Sequence, residues 1–273
     1  MADLSSDQSL ELAGHLVAMG DLAGALARCQ EILADEPGHA GARRMTAALQ
    51  CRTGQIAAYR INLDKRADRM DECFANEAEF GYPSGFIKRL SAVADADYGA
   101  VGCGKSHIAA LTDCFTRTDS PLCMVLEDDF NFAQPVETMI EALEIIRQSG
   151  VEWDVLLLMG GGVVPIGQPQ PVPFLLQVFR SALTAGYIVK RSYIPKLLAC
   201  FYDSVTLLER YRGFQPRKDL ISMRFPIDMS WLELQRKDRW FIFNPTFGYP
   251  RPGFSDIANE FQDYSGAIFK SWP

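Results

Sequence analysis

Histidine is scarce in this 273-residue chain, which contains only three, so a metal site built mainly from histidine is excluded. Seven cysteines are scattered along the chain without a CxxC pair. Such an odd, dispersed set indicates neither a disulfide framework nor a zinc site. We therefore expect reduced, mostly buried thiols, as in a cytosolic protein.

Long apolar runs and an excess of positive charge are also missing. No segment approaches the ~18 apolar residues that span a bilayer. The opening residues, MADLSSDQSLEL, lack the basic and apolar regions of a signal peptide. Acidic residues outnumber basic ones by 34 to 27, whereas a nucleic-acid binder normally shows a basic footprint. The sequence predicts a soluble, cytoplasmic, globular protein that does not bind nucleic acid.

Residues 1–54 form a compositional zone of their own, with apolar stripes at helical spacing. Two interpretations are open: a short tetratricopeptide-like cap, whose repeat unit is about 34 residues, or a helical cap without repeat ancestry. In either case there are too few helices to bury a core alone. We expect them to pack on the main domain, on a protein partner or on a second copy of the chain.

Residues 55–273 are predicted to form the main domain, in which strands alternate with helices. Strands are predicted at residues 56–63, 86–93, 122–126 and 153–159, with 175–179 and 184–189 as two strands that could pair. Helices are predicted at residues 65–80, 104–116, 135–148 and 192–202. This alternation indicates a mostly parallel sheet covered by helices, with ligands at the carboxyl ends of the strands.

Three consecutive acidic residues, Glu127, Asp128 and Asp129, follow the apolar run 122–126. Their mutual repulsion is costly in a dry pocket, and a divalent cation removes that cost. On an extended segment, Glu127 and Asp129 point to one side and Asp128 to the other. Carboxylate oxygens suit Mg²⁺ or Mn²⁺. We favour a metal site over the alternative, a solvated acidic loop or a helix N-cap.

A glycine-rich segment at residues 102–107 reads GCGKSH. It resembles a P-loop, but the spacing GxxxxGK[ST] is absent. A glycine-rich turn that opens a helix still offers backbone N–H groups to an anion, and Ser106 and His107 would lie in the first helical turn. For His107, a buried contact with a backbone carbonyl is the alternative.

A polar segment at residues 59–69 reads YRINLDKRADR and joins a strand end to a helix start. Arg66 and Arg69 are three residues apart and share one helical face. Asn62 can hydrogen-bond a base or a ribose, and Arg66 can reach a phosphate. The segment indicates a nucleotide-binding edge, unless its charges serve only to stabilise the helix start.

These three segments occur in the same chain as GYIVKRSYIPKLL, PIDMSWLEL and a late GFSDI. Together they resemble glycosyltransferase family 25, which contains bacterial lipopolysaccharide galactosyltransferases and collagen galactosyltransferases. The resemblance covers roughly residues 56–257. It implies an α/β, GT-A-like fold with a mixed, mostly parallel sheet, a UDP-sugar donor (usually UDP-galactose), a divalent metal (Mn²⁺ or Mg²⁺) and inversion at the anomeric carbon.

The resemblance also implies site residues. Glu127 and Asp129 match the metal motif, and Asp128 adjoins them on the nucleotide-sugar side. The other nucleotide-sugar positions are Asn62, Arg66, Arg69, Ser106 and His107. Many GT-A enzymes use a late histidine as a metal ligand, whereas no histidine follows His107 here. Asp256 or water would take its place.

Inverting transfer needs a base, and Asp228 is the candidate, although a helix N-cap is an equally good interpretation of it. The predicted acceptor is a glycan or a lipid-linked glycan, such as lipopolysaccharide. The basic stretch 210–224 would meet its phosphates or the inner face of a membrane, or is simply a solvated surface. A weakly active or inactive binding module, acting through the helical cap, is the alternative function. A nucleotidyltransferase is disfavoured, because the first strand is not followed by a glycine-rich loop.

Overall fold

The structure is a computed structural model that describes residues 5–52, 54–167, 172–212, 224–255 and 260–263. The helices are α1 Ser6–Ala18, α2 Leu22–Asp35, α3 Ala40–Arg52, α4 Ala67–Glu79, α5 Gly99–Arg117, α6 Val136–Ser149, α7 Ile194–Arg210, α8 Ile227–Ser230 and α9 Leu232–Gln235. The strands are β1 Ile56–Asn62, β2 Ile87–Ser91, β3 Leu122–Glu127, β4 Phe130–Phe132, β5 Val155–Leu157, β6 Gly161–Pro165, β7 Leu175–Ala182, β8 Gly186–Lys190, β9 Trp240–Phe243, β10 Gly248–Pro250, β11 Gly253–Ser255 and β12 Glu260–Gln262. Among the described helices, none combines the length and apolarity that a membrane span requires.

Eight strands form the central sheet in the order β2-β1-β3-β8-β5-β9-β7-β6. Only β7 and β8 run against the other six, because every pairing that involves them is antiparallel. The predicted α/β class, with a mostly parallel sheet flanked by helices, is confirmed. The predicted pairing of 175–179 with 184–189 is wrong, since β7 pairs with β6 and β9 while β8 lies between β3 and β5.

Strand β3 shows why the sheet is buried on both faces. Cys123 and Val125 belong to one hydrophobic cluster, which contains residues of α5 and α7. Met124 and Leu126 belong to a second cluster on the opposite face, which contains residues of α6. A strand covered on both faces has no polar side, and this accounts for the unbroken apolar run of β3.

The first three helices contact the sheet domain through α3. A small cluster of their own contains Ala13, Ala25 and Cys29. Further along α3, Ala47 and Cys51 are buried in the same cluster as α6. On the surface, Arg43 Nε and Nη2 each donate to a carboxylate oxygen of Glu141 on α6 at 2.6 Å.

The glycine-rich segment lies inside α5 and does not precede it, so the predicted anion-binding turn is wrong. Helix α5 begins at Gly99, and the segment 102–107 therefore occupies its first half. A Cβ placed on Gly102 would lie 2.5 Å from the carbonyl oxygen of Val93, and one on Gly104 would lie 2.6 Å from Val205. These glycines allow α5 to pack closely against its neighbours, and their N–H groups lie within the helix.

Candidate active site

The acidic segment lies where the chain changes direction within the sheet. Strand β1 lies between β2 and β3, so the chain passes from one side of β1 to the other. Ile61, next to the end of β1, is opposite Glu127 at the end of β3. In open α/β sheets, ligands bind outside the carboxyl ends of the strands at such a switch point. Asp128 and Asp129 form the turn that follows β3, which we call the acidic turn.

The Asp128 carboxylate is bound by Arg69 and Asn62, which were both predicted to bind the nucleotide-sugar. Arg69 Nη1 is 2.6 Å from Asp128 Oδ1, and Asn62 Nδ2 donates to Asp128 Oδ2 at 2.9 Å. Asn62 also accepts from Arg89 Nε at 3.0 Å through Oδ1 and is only 1% exposed. Asn62 therefore positions Asp128 and the end of β1 through its amide.

Glu127 meets a different set of side chains. Its Oε1 is 3.2 Å from His107 Nε2 and accepts from Thr184 Oγ1 at 2.7 Å. His107 is fully buried, and its Nδ1 is 3.1 Å from the hydroxyl of Tyr187. Burial raises the pKa of Glu127, but the hydrogen bond and charge of His107 and the bond from Thr184 outweigh it, so the net pKa is lowered.

Asp129 carries an unsatisfied polar atom. Its Oδ1 is buried and has no hydrogen-bond partner among the residues that the structure describes. Burial, together with the negative charges of Glu127 and Asp128, raises the pKa of Asp129 to about 7. Such a carboxylate is stabilised by a cation. Glu127 and Asp129 therefore fit the predicted divalent metal in chemistry, since both offer hard oxygen ligands.

Among the described residues, a closer group of ligand atoms is mixed in type. Cys103, His107 and Glu127 each present one ligand atom, and these atoms all lie within 4.8 Å of one another. Asp129 is not a member of this group. Asp256 lies outside the described residues. The start of its GFSDI segment is near the site, because a Cβ on Gly253 would be 3.8 Å from Arg69 Nη2.

A buried arginine, Arg60, donates hydrogen bonds to the backbone on both sides of the acidic turn. Arg60 is 1% exposed and lies 2.8 Å from Glu77 Oε1 through Nη2. Its Nη1 donates to the carbonyl oxygens of Glu127 at 3.0 Å and Phe130 at 2.9 Å, on either side of the turn. This role of Arg60 was not predicted from the sequence, although a charged residue inside the mostly apolar strand 56–62 is a sign of a buried, paired side chain.

Arg251 is a second arginine that the sequence analysis missed. Its backbone N–H donates to the carbonyl oxygen of Asp129 at 2.7 Å, and its Nη2 donates to that of Asp128 at 3.0 Å. It joins β10 to the acidic turn. Because these bonds come from a residue more than a hundred positions away, local patterns give no sign of them.

Two other predicted residues have local roles in the structure. Ser106 is buried, accepts from the Val93 N–H at 2.8 Å and donates to the Gly102 carbonyl at 2.7 Å. Arg66 Nη2 pairs with the exposed Asp68 at 2.9 Å. Neither contact reaches the acidic turn.

Asp228 lies in the first turn of α8, where Pro226 occupies the N-cap position. The interpretation of Asp228 as the N-cap is therefore wrong. Its Oδ2 accepts from the Leu183 N–H at 3.3 Å, in the turn that leads to Thr184. Burial and the negative charge of Glu127 raise the pKa of Asp228, although hydrogen bonds from backbone N–H groups oppose the shift. Asp228 is thus a half-buried carboxylate whose pKa is raised in part by the negative charge of Glu127.

A cleft of about 410 Å³ lies elsewhere, near the amino-terminal half of β1, and is lined in part by Tyr59, Lys88 and Asp113. Asp113 Oδ2 already accepts from Tyr59 at 3.0 Å and from Lys88 at 3.1 Å. The acidic turn does not line this cleft. The clustering of three carboxylates around a buried oxygen that lacks a partner among the described residues, rather than cavity size, marks the acidic turn as the candidate active site.

No protein-family model matches the chain, and no curated protein is similar enough in sequence to count as a relative. Mannose-1-phosphate geranyltransferase from Thermus thermophilus superposes with a TM-score of 0.41 at 9% identity, over 69% of this chain and 73% of that chain. A197 from STIV gives 0.41 at 13% identity, over 76% and 92% of the two chains. A Bacillus anthracis protein assigned as a glucose-1-phosphate thymidylyltransferase gives 0.35 at 13%, over 76% and 74%. Likenesses as distant as these carry no conclusion over to this chain.

Proposed function

We propose that the chain is a glycosyltransferase that moves a hexose, most simply galactose, from a UDP-sugar to a hydroxyl group of a glycan. The observation that carries the proposal is the buried Asp129 Oδ1, which has no hydrogen-bond partner in the described part of the chain and lies beside Glu127 and Asp128 at the switch point between β1 and β3. A site that keeps a carboxylate oxygen without a donor is suited to a cation and an anionic ligand. The resemblance to glycosyltransferase family 25 supports this interpretation.

Glu127 and Asp129 would hold Mn²⁺ or Mg²⁺, which supplies positive charge against a departing diphosphate. Arg69 and Asn62 hold Asp128 in place by an ion pair and a hydrogen bond, which restrict the motion of its side chain. Arg60 and Arg251 fix the carbonyls of the same turn. The chain thereby pre-organises the acidic residues, and this avoids reorganisation during the reaction.

Asp228 is the proposed general base. Its raised pKa makes its carboxylate a stronger proton acceptor than an exposed aspartate. In an inverting transfer, the acceptor oxygen forms a bond to the anomeric carbon while the bond from that carbon to the diphosphate oxygen breaks. The hydroxyl proton passes to Asp228, and UDP leaves with the electron pair. The acceptor is proposed to be a glycan or a lipid-linked glycan.

A UDP-release screen over UDP-galactose, UDP-glucose and UDP-N-acetylglucosamine, run with Mn²⁺ and with EDTA, tests the proposal. We expect one donor to release UDP in Mn²⁺ and none to do so in EDTA. If no donor releases UDP in Mn²⁺, the proposal is contradicted and the alternative of a binding module is favoured. Release of pyrophosphate from UTP would instead indicate a nucleotidyltransferase.

The Asp228→Asn variant is expected to transfer the sugar about 10²- to 10⁴-fold more slowly, because a positioned general base typically accelerates a reaction by that factor. UDP binding and melting temperature should not change, since the amide oxygen can still accept from the Leu183 N–H. Asp203→Asn is the matched control, because Asp203 is exposed on α7. If the Asp228→Asn variant transfers the sugar as fast as the Asp203→Asn control, Asp228 is not the general base.

A further inference from the structure

Cys103 and His107 lie four residues apart on α5, so their side chains share one face of the helix. Glu127, at the end of β3, lies opposite that face. One ligand atom from each of the three residues falls within 4.8 Å of the others. A thiol, an imidazole and a carboxylate converge here, and the sequence analysis did not predict a site of this type.

We propose that Cys103, His107 and Glu127 form a binding site for a soft or borderline divalent cation, of which Zn²⁺ is the best match. Thiolate and imidazole ligands favour such ions over Mg²⁺ or Mn²⁺. Three protein ligands leave a fourth position for water or a ligand atom, as in open zinc sites. The site shares Glu127 with the proposed sugar-transfer centre but does not depend on that function.

The spacing of the ligand atoms is close to what zinc requires. Zinc–ligand bonds of about 2.0–2.3 Å place neighbouring tetrahedral ligands about 3.5 Å apart. The distance from His107 Nε2 to Glu127 Oε1 is already 3.2 Å. Because one ligand atom of each residue lies within 4.8 Å of the others, side-chain shifts of about 1 Å would bring the group to zinc-binding distances.

Tyr187 provides the contact that a metal-binding histidine needs on its other nitrogen. Histidine ligands generally donate their second ring N–H to a neighbouring acceptor, which fixes the tautomer. The hydroxyl oxygen of Tyr187 lies 3.1 Å from His107 Nδ1 and is fully buried with it. In the metal-bound form, His107 Nδ1 would carry the proton and donate to Tyr187, and Nε2 would present its lone pair to the cation in place of its hydrogen bond to Glu127.

The surrounding charge also favours a cation. Glu127, Asp129 and Asp228 all act on Cys103 as negative charges. Thr184 Oγ1 donates to Glu127 Oε1 at 2.7 Å, so its hydroxyl lies beside one of the three ligands. The surroundings of the site are therefore acidic.

Titration of the metal-free full-length chain with Co²⁺, without any sugar nucleotide, tests the site. We expect one equivalent of Co²⁺ to produce a thiolate-to-cobalt charge-transfer band in the ultraviolet, and Zn²⁺ to displace it. Cys103→Ser should abolish the band and weaken Zn²⁺ binding by at least about 10-fold. Cys200→Ser, which removes a half-buried thiol on α7, should leave both unchanged. Absence of the band in the wild type, or its persistence in Cys103→Ser, would overturn the site.

A second measurement uses only the wild-type chain and so does not depend on how a variant folds. Zn²⁺ should protect Cys103 from alkylation by N-ethylmaleimide, read by peptide mass spectrometry, and should leave Cys200 equally reactive. Equal labelling of Cys103 with and without Zn²⁺ would count against the inference. Neither measurement requires transferase activity, so a silent UDP-release screen and a failed cobalt titration are separate results.

Discussion

Asp129→Asn is expected to abolish metal-dependent binding of UDP while making the metal-free protein more stable. The variant keeps the shape of the side chain but removes the charge that would hold the cation. Since a bound cation contributes several kcal/mol to this chemistry, donor binding and turnover in Mn²⁺ should fall by at least about 100-fold. Calorimetry with UDP in Mn²⁺ and in EDTA measures the first effect.

The gain in stability has a separate cause. The pKa of Asp129 is raised to about 7, so the wild type carries an unpaired buried charge at pH 8. A group with a raised folded-state pKa loses its stabilising contribution as the pH rises through that value. In EDTA at pH 8, Asp129→Asn should therefore melt at a higher temperature than the wild type, and the difference should shrink toward pH 4.

Asp71→Asn is the matched control for this pair of measurements, since Asp71 is exposed on α4. It should change neither UDP binding nor melting temperature. If Asp129→Asn binds UDP in Mn²⁺ as the wild type does, Asp129 is not a metal ligand. If the variant is instead less stable in EDTA at pH 8, its carboxylate has a partner and the argument from the unsatisfied oxygen fails.

Arg60→Met is expected to lower the free energy of unfolding by about 3–5 kcal/mol, the usual result of breaking a buried ion pair from one side. It leaves Glu77, which is only 8% exposed, without its cation. It also removes the donor from the carbonyls of Glu127 and Phe130. Urea denaturation measures the loss.

The double variant Arg60→Met/Glu77→Leu separates these contributions. Removing both charges eliminates the unpaired carboxylate, so part of the stability should return. The two carbonyls of the turn stay without their donor, so recovery should be incomplete. A loss below about 1 kcal/mol in the single variant would show that the pair does not support the fold.

Local pattern was enough to predict β3 and the acidic turn, because an apolar run followed by carboxylates is visible within a few residues. The partners of those residues were harder to predict. The Thr184 hydroxyl reaches the Glu127 carboxylate across 57 positions, and the Arg251 side chain reaches the Asp128 carbonyl oxygen across 123. Such contacts depend on the strand order, which inserts β8 next to β3 and which no local periodicity encodes.

One error of interpretation has a physical cause. The glycines of segment 102–107 suggested a turn, whereas Gly102 and Gly104 provide space for packing inside α5. The group of Cys103, His107 and Glu127 was not predicted, because Glu127 lies twenty positions beyond His107 and meets it only in the fold. The C-x₃-H spacing of Cys103 and His107 was the local signal available for that group.

The burial of α3 against α6 bears on how much of the chain the sheet needs for its own core. Ala47 and Cys51 are part of the hydrophobic cluster on one face of the sheet, so that face is closed partly by the amino-terminal helices. Cutting the chain just before Ile56 would expose apolar side chains of α6 to water. A shortened protein that starts at Ile56 would therefore carry a sticky apolar patch, and the helical segment acts as a built-in cover for the sheet.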